Sequence, residues 1–241
     1  HILPETVKQA DALQTEIAKR VPNVTFRCFV AMRYSNPLVI EAAEAAIDWH
    51  ATDAILLPLY PQFSSTTTAS ALEAWTSTCD LPVSTVCCYP AGAALAQAHA
   101  DSILNAWRDA GSPSNPRVLF SAHGLPQRVI DRGDPYQWQV EQTVAAVRRL
   151  LPTGWEARTC YQSRGGPMKW IGPATEEELH NAAHDKAGVI VSPIAFVSEH
   201  VETLVELDIE YGQLAKRLQI PFYIRAPALG VAPRFIDALA D

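Results

Sequence analysis

The sequence predicts an α/β protein made of two similar doubly wound, Rossmann-like halves, each on a parallel sheet, with a cleft between them. Short apolar or β-branched runs alternate with amphipathic helical stretches along the chain, the pattern of βαβ units whose sheets are covered on both faces. The segment GSPSNPR at 111–117 collects Gly, Pro, Ser and Asn, residues that favour turns and exposed backbone over regular structure. The two sides of that segment also share a layout. AILLPLYPQFSSTTTAS at 54–70 and GVIVSPIAFVSEHVETL at 188–204 each run from an apolar strand past a Pro into a Ser-containing loop that opens a helix.

Taken in order, PETVKQADALQTEIAKR predicts a helix over 4–20 and VTFRCFV a strand over 24–30. A helix over 37–50 leads to the apolar run AILLPL at 54–59, then a helix over 66–78 and the strand VSTVCC at 83–88. The Ala-rich stretch 92–111 is helical and ends at the linker. Beyond it, VLFS at 118–121, EARTCY at 156–161, GVIVS at 188–192 and PFYIR at 221–225 are strands. Helices over 135–151, 175–184, 199–218 and 231–239 separate or follow them. The domain boundary falls in the linker, giving halves 1–113 and 114–241. Ligands of open α/β sheets sit at the carboxyl ends of the strands, so a shared crevice is the expected site.

The 241 residues are 48% hydrophobic and 19% charged, the balance of a globular chain that can bury a substantial core. Acidic residues outnumber basic ones by 26 to 19, for a net charge of −7. No broad cationic surface is available to neutralise phosphates, which argues against nucleic acid as a partner. Five cysteines (Cys28, Cys79, Cys87, Cys88 and Cys160) lack the paired spacings of a zinc ribbon or a disulfide framework, and a reducing cytoplasm suits them. Apolar runs such as 54–59 and 189–197 are too short to span a bilayer. Composition leaves peripheral membrane contact open, because an apolar cleft rim reads like any exposed apolar patch.

Two places carry candidate chemistry. His123 follows the apolar run VLFSA and precedes Gly124 and Pro126, which puts it on a βα turn at the carboxyl end of a strand. A neutral imidazole there accepts a proton or binds a first-row metal, but for one histidine without context a hydrogen-bonded turn histidine is the commoner explanation. The second place is the helix expected from Ser198 as N-cap. Glu199, Glu202, Glu206 and Glu210 are spaced three, four and four apart, which on an α-helix aligns all four carboxylates on one face. A solvated acidic face has the same spacing.

Several segments together resemble the ferrochelatases over nearly the whole chain. SAHGLP at 121–126 is similar to the family's catalytic histidine motif, and RVIDRGDPY at 128–136 follows at the family's spacing. YQSRGGPMKWIGPATEE at 161–177 resembles its porphyrin-side loop and SEHVETLVELDIEY at 198–211 its metal-side helix. AMRY at 31–34 and YPQFSSTTT at 60–68 resemble two loops of the first half. The resemblance implies insertion of Fe²⁺ into protoporphyrin IX to form protohaem, with Fe²⁺ as substrate and no permanent cofactor. The family's usual opening, a strand, a Gly-Thr-Pro turn and a lip over the porphyrin, has no counterpart before Leu3 and Pro4, so the match is N-terminally incomplete. Some members hold an iron–sulfur cluster on cysteines near the C-terminus. The last cysteine here is Cys160, and no cluster is expected.

Carried over residue by residue, the resemblance implies that His123 and Glu202 face the porphyrin nitrogens, receiving pyrrole protons or delivering the metal. Glu206 and Glu210 would extend a row of oxygen ligands for Fe²⁺ outward from Glu202. Met168 and Trp170 would pack on the macrocycle, and Arg33 and Tyr34 would lie in its pocket. Ser64 and Thr66 belong to a βα loop, where helix capping explains them best. The alternatives are a non-catalytic porphyrin-binding module, or a chelatase for another metal or for coproporphyrin.

Overall fold

The computed structural model describes residues 2–241. Helix α1 (Ile2–Arg20) is followed by a stretch without helix or strand, then α2 (Val39–Asp48), strand β1 (Ala54–Leu56), a π-helical turn (Ser65–Ala69) continuing into α3 (Ser70–Thr76), β2 (Val83–Thr85) and α4 (Ala93–Asp109). The second part runs β3 (Pro116–His123), α5 (Gln127–Asp131), α6 (Tyr136–Arg148), β4 (Glu156–Gln162), α7 (Thr175–His184) and β5 (Gly188–Pro193). A π-helix (Glu202–Glu210) then runs into α8 (Tyr211–Arg217), before β6 (Tyr223–Arg225) and α9 (Pro233–Ala240).

All strand pairs are parallel. β1 pairs with β2, and the larger sheet has the order β4-β3-β5-β6. The chain leaves β3 to its neighbour β4 and then crosses to β5 on the other side, so strand order reverses at β3, the position where open α/β sheets form their crevice.

The period-two alternation of β3 decides what covers each face. Val118, Phe120 and Ala122 join Ala96, Ala100 and Ile103 of α4 and Val140, Val144 and Val147 of α6 in one cluster. Leu119 points the other way, with Cys160, Val189 and Val191, against Leu179 and Ala182 of α7, Leu207 of the π-helix and Tyr211 and Ala215 of α8. Both faces are dry, which is why these strands read as continuous apolar runs. α4 lies N-terminal to the linker yet packs on the second sheet, and α9, at the other end of the chain, packs on α1 and α4. The side chain of Arg117 is buried between Glu156 and Asp185, 2.7 Å from each, and ties the amino ends of β3 and β4 to the end of α7. Phe120 is fully buried at the centre of this core. Phe120→Ala should therefore cost about 3–5 kcal/mol in stability, read from the urea midpoint at unchanged slope.

The structure departs from the sequence reading in three elements. The stretch 24–30 forms no strand and begins with a bend at Val24. Its apolar and β-branched residues give it the propensity, but among the described residues no neighbouring strand accepts its backbone, and the Cys28 amide donates instead to Oε1 of Gln14. The expected first strands of the smaller sheet are also short, since β1 and β2 make only three paired positions. α5 was not foreseen, because Pro126 and the Gly133 turn leave room for little more than one helical turn.

Candidate active site

β3, β4 and the segment after β5 end side by side, and each delivers polar groups to one spot. His123 is the last residue of β3. Glycine follows it for a steric reason. A Cβ on Gly124 would lie 2.9 Å from the carbonyl oxygen of Gln162 and 2.9 Å from Cγ of Arg164, and the Gly124 amide uses that proximity to donate to Gln162 O at 2.8 Å. The chain thus turns directly against the end of β4. Tyr136, on α6, donates its hydroxyl to the His123 carbonyl at 3.0 Å. Burial pushes the Tyr136 phenol far above its usual range, so it remains a proton donor.

Glu202 approaches from the π-helix. Its Oε2 lies 2.7 Å from Nδ1 of His123, and the two side chains keep 39% and 40% of their exposure, enough to meet a ligand. Burial opposes charge on His123, yet the hydrogen bond to Glu202 and the charges of Glu202 and Glu206 outweigh it and raise the imidazole pKa. Burial likewise opposes charge on Glu202, but the hydrogen bond and charge of His123, with His200 and Ser163, hold the carboxyl below its usual value. The two shifts agree: the pair is ionic from the acid side up to the raised pKa of His123. Phe196 packs edge-on between the rings of His123 and His200, with centroid distances of 6.4 and 5.0 Å.

Glu206 lies four residues further along and is held by a cradle that sequence reasoning missed. Its Oε1 accepts from the Ser163 amide at 2.7 Å and the Tyr211 hydroxyl at 2.9 Å. Its Oε2 accepts from the Ser163 hydroxyl at 2.5 Å and Nε2 of Gln162 at 3.1 Å. Ser163 adopts φ 57°, the left-handed region that a non-glycine residue enters only when its surroundings hold it there. Its amide and hydroxyl both face Glu206 as a result. Gln162 also donates to the Glu202 carbonyl at 3.0 Å, joining the end of β4 to the start of the π-helix.

The expected single row of four carboxylates is not formed. A π-helix bonds i to i+5, so residues four apart no longer fall in register as on an α-helix. Glu199 precedes the helix and turns to Arg225, the Ala228 amide (2.9 Å) and the Thr203 hydroxyl (2.6 Å). Ser198 makes no cap, and the helix begins at Val201. Glu202 and Glu206 point to one site, whereas Glu210 is exposed at the far end of the π-helix.

The remaining predicted residues lie outside this hydrogen-bonded cluster. Met168 is exposed and Trp170 half-buried on the loop after β4, with Nε1 of Trp170 donating to Gly165 O at 2.9 Å. A backbone bridge between Trp170 and Pro126 lays that loop along the one after His123. Arg33 and Tyr34 stand in the first half. The Arg33 guanidinium stacks over the Tyr34 ring at 4.9 Å and donates to Ser70 at 2.9 Å, and Tyr34 is 79% exposed. Neither is bonded to His123 or Glu202 among the described residues. Ser64 caps the π-helical turn, accepting from the Thr66 amide at 3.1 Å. Asp134 accepts from the Ser64 hydroxyl and from the Ser65 amide and hydroxyl (3.0, 2.7 and 2.6 Å), fastening the first-half loop to the second half beside Tyr136.

The chain is 53% identical over its full length to the ferrochelatase of Phenylobacterium zucineum, spanning 71% of that protein. It is 54% identical over 99% of its length to that of Caulobacter vibrioides, spanning 70% of it. Among solved structures, SirB from Bacillus subtilis with Fe³⁺ superposes with a TM-score of 0.64 over 98% of this chain and 87% of that one, at 15% identity, which shows a shared fold. The Ferrochelatase family model matches residues 2–241. This chain belongs to the ferrochelatase family of metal chelatases.

Proposed function

We propose that the protein inserts Fe²⁺ into protoporphyrin IX, with His123 and Glu202 as the reacting pair. The observation that carries this reading is the 2.7 Å contact between Nδ1 of His123 and Oε2 of Glu202 at the carboxyl end of the sheet, in a chain of this family. Metallation removes two pyrrole N–H protons while the metal exchanges water for nitrogen ligands, so it requires a base and an anionic oxygen at one spot. His123 in its neutral form takes a pyrrole proton, the adjoining Glu202 carboxylate stabilises the imidazolium that results, and release of that proton to solvent readies His123 for the second. Glu202 presents carboxylate oxygens to the arriving cation while Glu206 adds negative charge behind it, and oxygen donors suit a hydrated divalent ion before it reaches nitrogen.

The cradle of Ser163, Gln162 and Tyr211 leaves Glu206 few free lone pairs. Its role in this reading is to fix the π-helix and supply negative charge, with the half-exposed Glu202 as the donor and Glu210 at the solvent end. Met168 and Trp170 form an apolar rim against which a macrocycle can lie, and a macrocycle held bent exposes its nitrogen lone pairs. In this reading Arg33 and Tyr34 belong to the porphyrin pocket, contributed from the first half. Fe²⁺ is a substrate throughout, and no resident cofactor takes part.

Anaerobic incubation with Fe²⁺ and protoporphyrin IX tests the reading. The free-base absorption should give way to that of haem in a catalytic, protein-dependent time course. Porphyrin binding without metal entry would instead make this a carrier. Faster turnover of coproporphyrin than of protoporphyrin would reassign the substrate.

A further inference from the structure

β2 ends at Thr85, and the next two cysteines are neighbours in sequence and in space. The Sγ atoms of Cys87 and Cys88 are 3.0 Å apart, in hydrogen-bond contact and not joined by a disulfide, with Cys87 exposed and Cys88 half-buried. The backbone is fixed on both sides of them: the Val86 amide donates to Leu56 O and the Tyr89 amide to Pro61 O, each at 2.9 Å. The other cysteines differ in setting, since Cys28 is half-buried and Cys79 and Cys160 are buried. Adjacent residues have Cα atoms about 3.8 Å apart, closer than the roughly 4.4–6.8 Å that most disulfides span. A bond between these two sulfurs therefore forms with strain and is readily reduced, the behaviour of labile rather than structural disulfides.

We propose that Cys87 and Cys88 form a modification site for thiol–disulfide exchange, which a low-molecular-weight disulfide oxidises to a reversible vicinal disulfide. Cys87 gives up its proton and attacks one sulfur of the small disulfide, whose S–S bond breaks to release one thiolate. Cys88, deprotonated in turn, attacks Sγ of Cys87 in the mixed disulfide and expels the second thiolate. The two protons end on the two small thiols, and the protein dithiol loses the two electrons that the small disulfide gains. The position also gives the exchange a structural consequence. Sγ of Cys88 accepts from Nε2 of Gln139 at 3.4 Å, and Oε1 of the same Gln139 holds the Phe63 amide at 2.7 Å. Oxidation thus moves an acceptor that helps seat the loop carrying Ser64 and Ser65.

The hydrogen bond with Cys88, together with burial and the neighbouring thiolate charge, pushes the Cys87 thiol up to about 11. The attacking thiolate is scarce at neutral pH, and exchange should accelerate about tenfold per pH unit between 7 and 9. The test exposes the full chain to oxidised glutathione, quenches with iodoacetamide and maps peptides by mass. The expected product has Cys87 and Cys88 both protected from alkylation, carries no glutathione, and regains both sites after dithiothreitol. Cys87→Ser and Cys88→Ser should each abolish the double protection and leave one glutathione on the remaining cysteine. Two alkylated cysteines at saturating oxidised glutathione, a persistent mixed disulfide on Cys87 in the unsubstituted protein, or disulfide-linked dimers would each overturn the proposal.

Discussion

Replacing His123 by Ala is expected to lower Fe²⁺ insertion by about 10²–10⁴-fold, the usual contribution of a positioned acid–base group. Porphyrin binding and the fold should be little changed, because the His123 backbone carries the structural bonds. Its carbonyl accepts from Tyr136, and the β3 register with β4 is made by main-chain atoms. Among the described residues the imidazole itself is bonded to Glu202 alone, and it meets Phe196 edge-on. Truncation leaves Glu202 without its partner, but that carboxylate keeps substantial solvent access and a bond from Ser163 at 3.3 Å. The comparison to make is kcat for insertion against porphyrin Kd by fluorescence quenching, with circular dichroism as the fold control. Unchanged kcat would remove His123 from the reaction. Loss of kcat with porphyrin affinity lost to the same extent would make it a binding residue instead.

The parallel sheet and His123 were legible in the sequence for the same reason. A strand buried on both faces reads as an unbroken apolar run, and the polar residue that ends such a run stands at the carboxyl edge where ligands bind. β3 to β5 therefore lie where their sequences place them. The stretch 24–30 shows the limit of that reasoning: VTFRCFV has the composition of a strand, but pairing is a property of a neighbour that the segment itself does not encode. The acidic helix shows a second limit. The spacing of Glu199, Glu202, Glu206 and Glu210 converts to a common face only at the α-helical period, and no residue in SEHVETLVELDIEY announces a shift to i→i+5 bonding. Ser163 was hidden for a related reason. Its importance lies in a positive φ that turns its amide and hydroxyl toward Glu206, and a serine in a Gly-rich loop gives no sign of that.

Glu202→Gln should produce the second large effect, on both rate and pH dependence. The amide keeps the size of the side chain and can still accept a hydrogen bond, so the π-helix, tied through the Glu202 carbonyl to Gln162, should persist. What disappears is the negative charge that stabilises imidazolium and attracts the cation, and insertion should fall by about 10²-fold or more. The pH profile separates this from simple disruption. In the unsubstituted protein His123 must be neutral to accept a pyrrole proton, and its pKa is raised above the ordinary 6.5. Activity should thus be lost as pH falls through a midpoint above 6.5. The same ion pair contributes to stability below that midpoint and vanishes as pH rises through it, while on the acid side it is lost only when Glu202 titrates, below its ordinary 4.5. In Glu202→Gln the main influence raising the His123 pKa is gone and burial, which lowers it, remains. The acid limb of kcat/KM should therefore move to lower pH even as the plateau drops. A plateau that drops with the limb unmoved would mean that Glu202 serves the metal alone and that another group sets the protonation state of the site.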